Sequence, residues 1–269
     1  MLVETAETRS ASVKSATLRG NQMEIANIAI ADLSGVEAIS CVAAAVESRQ
    51  RLNVGFINAH CVNVARRDAG YREALGEFLL LPDGIGVDVG ARILHGRRFA
   101  ENLNGTDFVP RLLAALTKPC RIALVGAAPG VAERAAAGLS AVARQHEIVA
   151  VADGYFGEAG RGEVLDKLAA FRPDIVLVAL GVPAQELFIA RHLSEGHGTV
   201  FVAVGALFDF LAGSVVRAPR PVRKLRLEWV WRLMLEPKRL FRRYVVGNPV
   251  FLKDVVLDRL RGARRNTKT

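Results

Sequence analysis

The chain has 269 residues, a formal net charge of +9 and 51% hydrophobic residues, which is enough apolar material for one large α/β domain with an appendage. Its three cysteines, Cys41, Cys61 and Cys120, lack CxxC spacing, which argues against a disulfide framework or a zinc site and favours a reducing compartment, the cytoplasm. No apolar run reaches the roughly 18 residues of a membrane span, because the longest, at 199–213, is broken by Asp209.

Charge and polarity divide the chain into three parts. Residues 1–22 mix acids with bases and have no apolar core of a signal peptide, so we expect a disordered leader. Residues 217–269 carry 16 Lys+Arg and 4 Asp+Glu, which leaves 20 and 23 for residues 1–216. We therefore expect a near-neutral body at 23–213 that does the chemistry. The basic appendage at 214–269 is expected to meet a polyanion, either an anionic lipid surface or nucleic acid.

After the leader, a short apolar run at 25–30 precedes segments with alternating helix and strand periodicity. Helical segments of roughly 10–15 residues separate the predicted strands, which is typical of parallel strands joined by crossovers. We therefore predict an α/β fold with a largely parallel sheet and helices on both faces. The predicted strands cover residues 54–58, 78–81, 121–125, 148–152, 174–180 and 199–204, and the predicted helices cover 36–47, 61–78, 87–94, 107–116, 131–144, 161–171 and 184–193.

One acidic residue, Asp83, follows the apolar run FLLL and lies between Pro82 and Gly84. This pattern predicts a buried strand that ends in a loop. Ligands of open α/β sheets bind at the carboxyl ends of the strands, so Asp83 is a candidate catalytic carboxylate. Asp-Gly is also a common turn pair, and a purely structural turn is the alternative.

Two further loops are suited to a nucleotide. Residues 126–130 read GAAPG between a strand and a helix, where backbone N–H groups and the helix dipole favour a phosphate. This loop lacks a full GxGxxG or P-loop signature, and a tight turn is equally compatible with it. The next loop carries Asp153, Tyr155 and Phe156, which offer a carboxylate and an aromatic face to a base or ribose; the alternative is an ordinary loop.

The segment GVPAQE at 181–186 places a polar pair, Gln185 and Glu186, at the start of a helix. An amide that both donates and accepts suits sugar hydroxyls, whereas the alternative is that the pair only favours the first helical turn. All these loops follow parallel strands, so we expect them at the same edge of the sheet as Asp83. The helix predicted at 107–116 is expected to be capped by Thr106 or Asp107.

Signatures of several other chemistries are missing from the sequence. It contains no HxxH, HExxH or Cys/His cluster, so we predict no zinc site. No DxD pair follows a strand to hold nucleotide-bound Mg²⁺ or Mn²⁺, and no GxSxG motif supports acyl transfer. We expect a metal-free site.

The tail interleaves basic residues with aromatic and aliphatic ones. Lys224, Glu228, Arg232 and Glu236 recur four apart, so a helix gathers them into a polar stripe opposite an apolar face that bears Trp229. Such a helix suits the headgroup boundary of a membrane, and arginine forks suit a diphosphate. The alternative is a helix packed on the body with solvated charges.

Taken in order, these motifs resemble those of the WecG/TagA/CpsF family of bacterial glycosyltransferases, from about residue 25 to about residue 251. The motifs that carry the resemblance are PDGIGV (82–87), NGTD (104–107), GAAPG (126–130), DGYF (153–156), GVPAQE (181–186), VGALFDFLAG (204–213), RAP (217–219) and EWVWRLMLEPKRLFRR (228–243).

The resemblance implies a Rossmann-like body that transfers a sugar, often N-acetylmannosamine, from a UDP donor to a polyprenyl-diphosphate-linked saccharide at the cytoplasmic membrane face. It implies anomeric inversion with no metal and no cofactor. Asp83 becomes the candidate general base, and Gln185 a candidate catalytic residue that contacts sugar. The residues implied for the UDP-sugar are Asn58, Gly84, Gly126, Gly130, Asp153, Tyr155, Phe156, Gly181, Pro183 and Glu186. The residues implied for the acceptor and its diphosphate are Asn104, Asp107, Arg217, Arg220, Arg232 and Arg239.

Two positions depart from the family pattern. Many members have a Thr where this chain has Phe56, and many have an Arg in the segment that reads ENLN at 101–104. Asn102 and its neighbours therefore leave the donor sugar open. A different donor is one interpretation, and replacement of the missing charge by Arg97 or Arg98 is the other.

A second class of function is compatible with the basic tail, namely a non-enzymatic nucleotide- or nucleic-acid-binding module. The GVPAQE segment and the apolar helix face with Trp229 and Trp231 favour the transferase, so no nucleic-acid partner is predicted. When no membrane is present, the same apolar face must be shielded from water in another way, and we expect either homo-oligomer contacts or a flexible appendage there.

Overall fold

The computed structural model describes residues 21–219, 222 and 227–266, with side chains described as far as residue 261. The leader predicted for residues 1–22 lies, up to residue 20, outside the described residues, as does Arg220. The first described element is an antiparallel hairpin of β1 (Gln22–Ile25) and β2 (Ile28–Ala31).

A six-stranded sheet forms the centre of the molecule, with the strand order β4-β3-β8-β7-β5-β6 and parallel pairing throughout. Most of its residues are apolar, and β3, β4, β7 and β8 are buried along their whole length, as is usual for a parallel sheet with helices on both faces. The strands are β3 (Leu52–Ile57), β4 (Phe78–Pro82), β5 (Arg121–Gly126), β6 (Glu147–Ala152), β7 (Ile175–Ala179) and β8 (Val200–Ala203).

Helices connect these strands and continue beyond the last one. In chain order they are α1 (Gly35–Ser48), α2 (Ala59–Ala65), α3 (Ala69–Leu75), α4 (Ile85–His95), α5 (Gly105–Ala115), α6 (Val131–Val142), α7 (Arg161–Phe171), α8 (Ala184–His192), α9 (Leu207–Leu211), α10 (Glu228–Leu235), α11 (Pro237–Phe241), a π-helical turn (Arg242–Val246) and α12 (Gly247–Asn266).

The apolar core lies in two layers, one on each face of the sheet. Residues of α1, α5, α6 and α9 bury one face, around Phe108 and Phe208. The hairpin, α2, α3, α4, α7, α8 and α12 bury the other, around Tyr71, Phe201 and Phe251. The predicted α/β fold with a parallel sheet covered on both faces is therefore confirmed.

Parallel pairing brings the carboxyl ends of all six strands to one edge of the sheet. At this edge β5 and β7 are neighbours whose connections diverge, since β5 leads through α6 to the outer strand β6 and β7 leads through α8 to β8 on the other side. Ligands of open α/β sheets bind in the crevice that such a reversal creates. The loops at 126–130 and 181–183 border this crevice.

Two local predictions were wrong. The single helix predicted at 61–78 is two helices, because Asp68 caps α3 by accepting a hydrogen bond from the N–H of Tyr71 at 2.9 Å. The cap of α5 is Asn104 and neither Thr106 nor Asp107, since the Asn104 side chain accepts from the N–H of Asp107 at 2.9 Å. Asn is as good an N-cap as Asp or Ser, and the helix begins two residues earlier than the apolar pattern indicates.

The last helix, α12, packs on the body. Phe251 and Val255 are buried in the second core layer, and a Cβ added at Gly90 would lie 2.9 Å from the Phe251 ring. Asn63 donates to the carbonyl of Gly247 at 2.8 Å. Within residues 21–219, 222 and 227–266, no helix is both long and apolar enough to cross a membrane.

Candidate active site

Asp83 and Asn58 come from the ends of two neighbouring strands, β4 and β3. The Nδ2 atom of Asn58 donates to Oδ2 of Asp83 at 3.1 Å, and the Oδ1 atom of Asn58 accepts from the N–H groups of His60 and Cys61 at 3.1 and 3.2 Å. Because these N–H groups occupy Oδ1, the amide can only turn Nδ2 towards the carboxylate. The N-cap of α2 therefore also orients the side chain of Asp83.

The groups around Asp83 shift the pKa of its carboxyl group in opposite directions. Burial raises the pKa of the Asp83 carboxyl above its usual range. The hydrogen bond from Asn58 and the charges of Arg243 and Arg232 lower that pKa, while Asp107 raises it. A partly buried carboxylate with a raised pKa is better suited to accept a proton than an exposed one.

Gly84, the residue after Asp83, is held by the side chain of Asn102. Its N–H donates to Asn102 Oδ1 at 2.8 Å, and its carbonyl accepts from Asn102 Nδ2 at 3.0 Å. Gly84 has φ 83° and no side chain caps α4. The turn that carries Asp83 is thus stabilised from a segment 18 residues further along the chain.

Gln185 and Glu186 lie deeper than the sequence indicates, with 3% and 1% of their surface exposed. Gln185 donates through Nε2 to Glu186 Oε1 at 2.9 Å and accepts through Oε1 from the N–H of Gly205 at 3.1 Å. The pair therefore links the loops after β7 and β8. Burial raises the pKa of Glu186 to about 7, although the hydrogen bond from Gln185 opposes this.

The loop after β5 requires glycine at its first position. Gly126 has φ 123°, and a Cβ there would lie 2.4 Å from the carbonyl oxygen of Ala179. The N–H of Ala127 donates to that oxygen at 2.9 Å, and the carbonyl of Ala127 accepts from Gly154 at 2.7 Å. Gly130, with φ 77°, is the N-cap of α6. The predicted nucleotide loops after β5 and β6 are therefore in direct contact.

The aromatic residues of the DGYF segment lie in different places. Asp153 accepts from the N–H of Tyr155 at 2.8 Å, and the Tyr155 side chain is 77% exposed. Phe156 is partly buried and its ring centroid is 5.7 Å from that of Phe188. Tyr155 is thus exposed to solvent, whereas Phe156 packs against Phe188 of α8.

The residues predicted for the acceptor form a chain of polar contacts at the start of α5. Asn104 donates to Asp107 at 2.9 Å, Asp107 is paired with Arg217, and Arg217 Nε lies 3.8 Å from Glu228 of α10. These contacts bring the RAP segment and α10 against the edge of the sheet. Arg239 is half exposed and pairs with Glu236 on its own helical segment.

Arg232 and Arg243 are the basic residues of the tail whose charges act on Asp83. The Nε atoms of both are buried and have no hydrogen-bond partner among the described residues. Desolvation lowers the pKa of His60 to about 4, with a further contribution from Arg243, so the imidazole is neutral at neutral pH. The tail therefore places positive charge beside the candidate base.

The structure brings Asn58, Asp83 and Gly84 together. It also draws Asn104, Asp107 and Arg217 into one network. Phe56 points into the core, with its ring 5.8 Å from that of Phe108, so this departure from the family pattern affects packing.

Sequence reasoning missed two residues beside Asp83, Asn102 and Arg243. Asn102 stands out in the sequence only as a departure from the family pattern, and Arg243 is one of the 16 Lys and Arg residues at 217–269. Both are identified only by interactions between segments far apart in the chain: Asn102 by its hydrogen bonds to Gly84, and Arg243 by the effect of its charge on the pKa of Asp83.

Two further features of the described residues are the thiol of Cys61 and the distribution of potential metal ligands. Burial raises the pKa of Cys61 to about 12, with Glu186 adding to the shift, so the thiol stays protonated and is a poor nucleophile. No group of three or more His, Cys, Asp or Glu side chains in this part could hold a metal ion.

Comparison with known proteins gives a consistent result. The sequence profile described as "Glycosyl transferase WecG/TagA/CpsF family" matches residues 23–265. Three similar proteins are each named N-acetylglucosaminyldiphosphoundecaprenol N-acetyl-beta-D-mannosaminyltransferase. The protein of Bacillus subtilis (strain 168) is 34% identical over 188 residues, 69% of this chain and 72% of the relative. That of Bacillus spizizenii is 37% identical over 161 residues, 60% and 62%. That of Staphylococcus aureus (strain NCTC 8325 / PS 47) is 27% identical over 214 residues, 77% and 80%.

Proposed function

Because this chain belongs to the WecG/TagA/CpsF family of glycosyltransferases, we propose that it moves N-acetylmannosamine or a related hexose from a UDP-sugar to a polyprenyl-diphosphate-linked saccharide. The acceptor we favour is N-acetylglucosaminyl-diphospho-undecaprenol, which appears in the names of its relatives. The observation that carries the proposal is the position of the Asp83 carboxylate. It accepts a hydrogen bond from Asn58 at 3.1 Å and lies at the carboxyl ends of the strands, where open α/β sheets generally bind their ligands.

In the proposed reaction, Asp83 is the general base. Its carboxylate takes the proton of the acceptor hydroxyl as the hydroxyl oxygen attacks the anomeric carbon of the donor. The bond from that carbon to the β-phosphate oxygen breaks, and UDP leaves from the opposite face, so the anomeric configuration inverts. One well-placed carboxylate is enough for this step, and general-base catalysis typically contributes about 10² to 10⁴ in rate.

The donor nucleotide is proposed to bind in the crevice between β5 and β7. The loop that begins at Gly126 passes close to Ala179, and Gly130 opens the 12-residue helix α6 with backbone N–H groups that no side chain caps. Phosphates bind well at such helix N-termini. The exposed ring of Tyr155 is available to stack on the base.

The diphosphate of the acceptor is proposed to bind the arginines of the tail. Arg232 and Arg243 already act on Asp83, and their buried Nε atoms lack partners among the described residues. A diphosphate would supply acceptor oxygens to both guanidinium groups, which bind phosphate oxygens with charge-assisted hydrogen bonds. The acceptor sugar would then lie over the carboxylate.

The lipid part of the acceptor requires a membrane, and the tail offers a surface for it. Met234 is 65% exposed and Phe241 54% exposed, and Lys238, Arg239 and Arg242 lie exposed beside them. Exposed apolar residues with neighbouring cations favour an anionic lipid surface. We propose that the protein works as a peripheral protein on the inner face of the cell membrane.

Two assays test this function. UDP-sugars are first screened for an increase in Tm, because a ligand that binds only the folded state raises it. The stabilising sugar is then tested for transfer onto a short polyprenyl-diphosphate N-acetylglucosamine, with anomeric configuration read by NMR and with EDTA present. We expect a β-linked disaccharide product that EDTA does not suppress.

The membrane proposal is tested by flotation with anionic liposomes, alongside retention on heparin and on single-stranded RNA. We expect flotation that falls when the anionic lipid is omitted. Binding to RNA that survives near-physiological salt, with no flotation and no sugar transfer, would contradict the proposed function and favour a nucleic-acid-binding module.

A further inference from the structure

Asn102 is joined to Gly84 by a closed pair of hydrogen bonds. Its amide accepts from the N–H of Gly84 at 2.8 Å and donates to the carbonyl of the same residue at 3.0 Å. Next to this pair, the N–H of Leu103 donates to the carbonyl of Pro82 at 2.7 Å. Three hydrogen bonds thus connect residues 102–103 to residues 82–84, on both sides of Asp83.

The backbone at Gly84 needs such support. Its φ of 83° and ψ of 163° lie in a region that side-chain-bearing residues rarely adopt, and a glycine has many competing conformations. Gly84 is also the N-cap of α4, where no side chain of its own accepts from the helix. Without Asn102, the peptide groups that flank Asp83 on its C-terminal side would lose their side-chain partner.

We propose that Asn102 is a positioning residue for Asp83, and that it fixes the Gly84 backbone so that the carboxylate stays in contact with Asn58. This inference rests on the proposed role of Asp83 as general base. Asn58 orients the carboxylate through its side chain, and Asn102 fixes the main chain that carries it. Rate falls steeply when a catalytic group is displaced, with about 10² lost for a displacement near 1 Å.

The cavity next to Asn102 does not offer a simpler explanation. It has a volume of about 300 Å³ and is lined by Glu101, Asn104, Asp107 and Arg111 among others. These polar groups are paired within the protein, Glu101 with Arg111 at 2.9 Å and Asn104 with Asp107 at 2.9 Å. The side-chain amide of Asn102 likewise makes two hydrogen bonds within the protein, both to the backbone of Gly84. Its position therefore fits a role in holding the turn better than a role in holding a ligand.

The pH dependence of catalysis reports the position of the carboxylate. The charged groups that shift the pKa of Asp83 are Arg243 and Arg232 from the tail and Asp107 from α5. The charge of Asp83 in turn raises the pKa of Cys61 in α2. The bond from Asn58 lowers the pKa of Asp83. If the carboxylate moves away from Asn58, this pKa rises, and the acidic limb of the rate profile moves to higher pH.

The test compares Asn102→Ala with Asn53→Ala as a matched control. Asn53 is likewise an asparagine whose side chain is engaged within the protein, as the acceptor for Arg51 at 3.3 Å, but it lies at the start of β3, at the opposite end of that strand from Asn58. We expect Asn102→Ala to lower kcat about 10-fold to 10²-fold and to move the acidic limb to higher pH, with UDP-sugar binding nearly unchanged. Asn53→Ala is expected to leave the pH profile in place. Asn102→Ser, which keeps an acceptor for the N–H of Gly84, is expected to lose less activity and also serves if Asn102→Ala does not fold.

The possible results separate this inference from the proposed function. Wild-type kcat and an unmoved acidic limb in Asn102→Ala, or a loss of UDP-sugar binding equal to the loss of rate, would overturn the positioning role. Full activity of Asp83→Asn would instead remove the general base itself. Loss of activity in Asp83→Asn together with a normal Asn102→Ala leaves the proposed function intact and contradicts only the role of Asn102.

Discussion

Asn58 donates to the carboxylate of Asp83 at 3.1 Å with one end of its amide and caps helix α2 with the other. A single side chain thus links the end of β3, the start of α2 and the carboxylate after β4. Because the cap fixes which atom faces Asp83, local helix chemistry determines the geometry of the candidate base. The stability of α2 and the pKa of Asp83 can be changed separately at this residue.

Substitutions at Asn58 are expected to separate these two effects. Asn58→Ser keeps an oxygen that can cap α2 but lacks the longer amide group whose Nδ2 reaches Asp83, whereas Asn58→Ala loses both the cap and this donor. Loss of a cap typically costs about 1 kcal/mol, so Asn58→Ala should have the lower free energy of unfolding by about that amount. In both variants the pKa of Asp83 should rise, because the hydrogen bond lowers it in the wild type. The acidic limb of kcat/KM, measured from pH 4 to 9, should move up equally in both; an unmoved limb would show that Asn58 does not act on the base.

Glu186 is expected to make stability depend on pH. Its folded-state pKa of about 7 is above the ordinary value of 4.5, so the folded protein binds this proton more tightly than the unfolded chain. Stability from Glu186 is then greatest at low pH and is lost as pH rises from about 4.5 to about 7. Glu186→Gln should be more stable than the wild type at pH 8, by up to about 3 kcal/mol, and much closer to it at pH 5. Urea unfolding at both pH values measures this difference, with exposed Glu73→Gln as the control. An equal effect at the two pH values would contradict it.

Gly126 is expected to tolerate no side chain. A Cβ there would approach the carbonyl of Ala179 to 2.4 Å, and φ is 123°. Gly126→Ala should therefore lower the free energy of unfolding by about 2 kcal/mol or more and abolish the stabilisation by UDP.

The matched control is Gly162→Ala in α7, where nothing lies within 4 Å of the added Cβ. It should raise stability by about 0.5–1 kcal/mol. Calorimetry with and without UDP measures both variants, and a Gly126→Ala protein that binds UDP normally would remove this loop from the nucleotide site.

Arg243 is expected to act on the acceptor and on the base. Arg243→Gln removes a charge that lowers the pKa of Asp83, so the acidic limb should move to higher pH, and KM for the lipid-linked acceptor should rise. Arg144 is exposed and lies just before β6, at the edge of the sheet opposite the strand ends near Asp83, and Arg144→Gln is the control. Steady-state kinetics with each substrate varied in turn checks this. A change in KM for the donor alone would place Arg243 at the nucleotide.

The sequence predicted those features of the fold that depend on local pattern. Apolar runs placed the six parallel strands, and Pro82 and Gly84 marked the strand end where Asp83 lies. The segment GVPAQE is recognisable as a family motif, but its residue types do not indicate that the polar side chains of Gln185 and Glu186 are both buried. The acceptor role of Gln185 towards the N–H of Gly205, in the loop after β8, is a contact between segments 20 residues apart.

The rest of the site depends on contacts between distant segments. Asn102 lies 18 residues from Gly84, and its hydrogen bonds follow from the path of the loop before α5. Arg243 is one of many similar arginines, and only the return of the tail to the sheet brings its charge to Asp83. Phe56 is the opposite case. In the sequence it departs from the family pattern and suggests an altered contact with substrate, whereas in the structure its side chain packs in the core against Phe108.

The most direct measurement of the central proposal is turnover by Asp83→Asn on a polyprenyl-diphosphate N-acetylglucosamine acceptor, together with UDP-sugar binding by calorimetry. Asn has nearly the same shape as Asp but cannot accept the proton of the acceptor hydroxyl. We expect kcat to fall by about 10² to 10⁴ while the Kd for the UDP-sugar stays within a few-fold of that of the wild type. Wild-type turnover by Asp83→Asn would contradict the assignment of Asp83 as the general base.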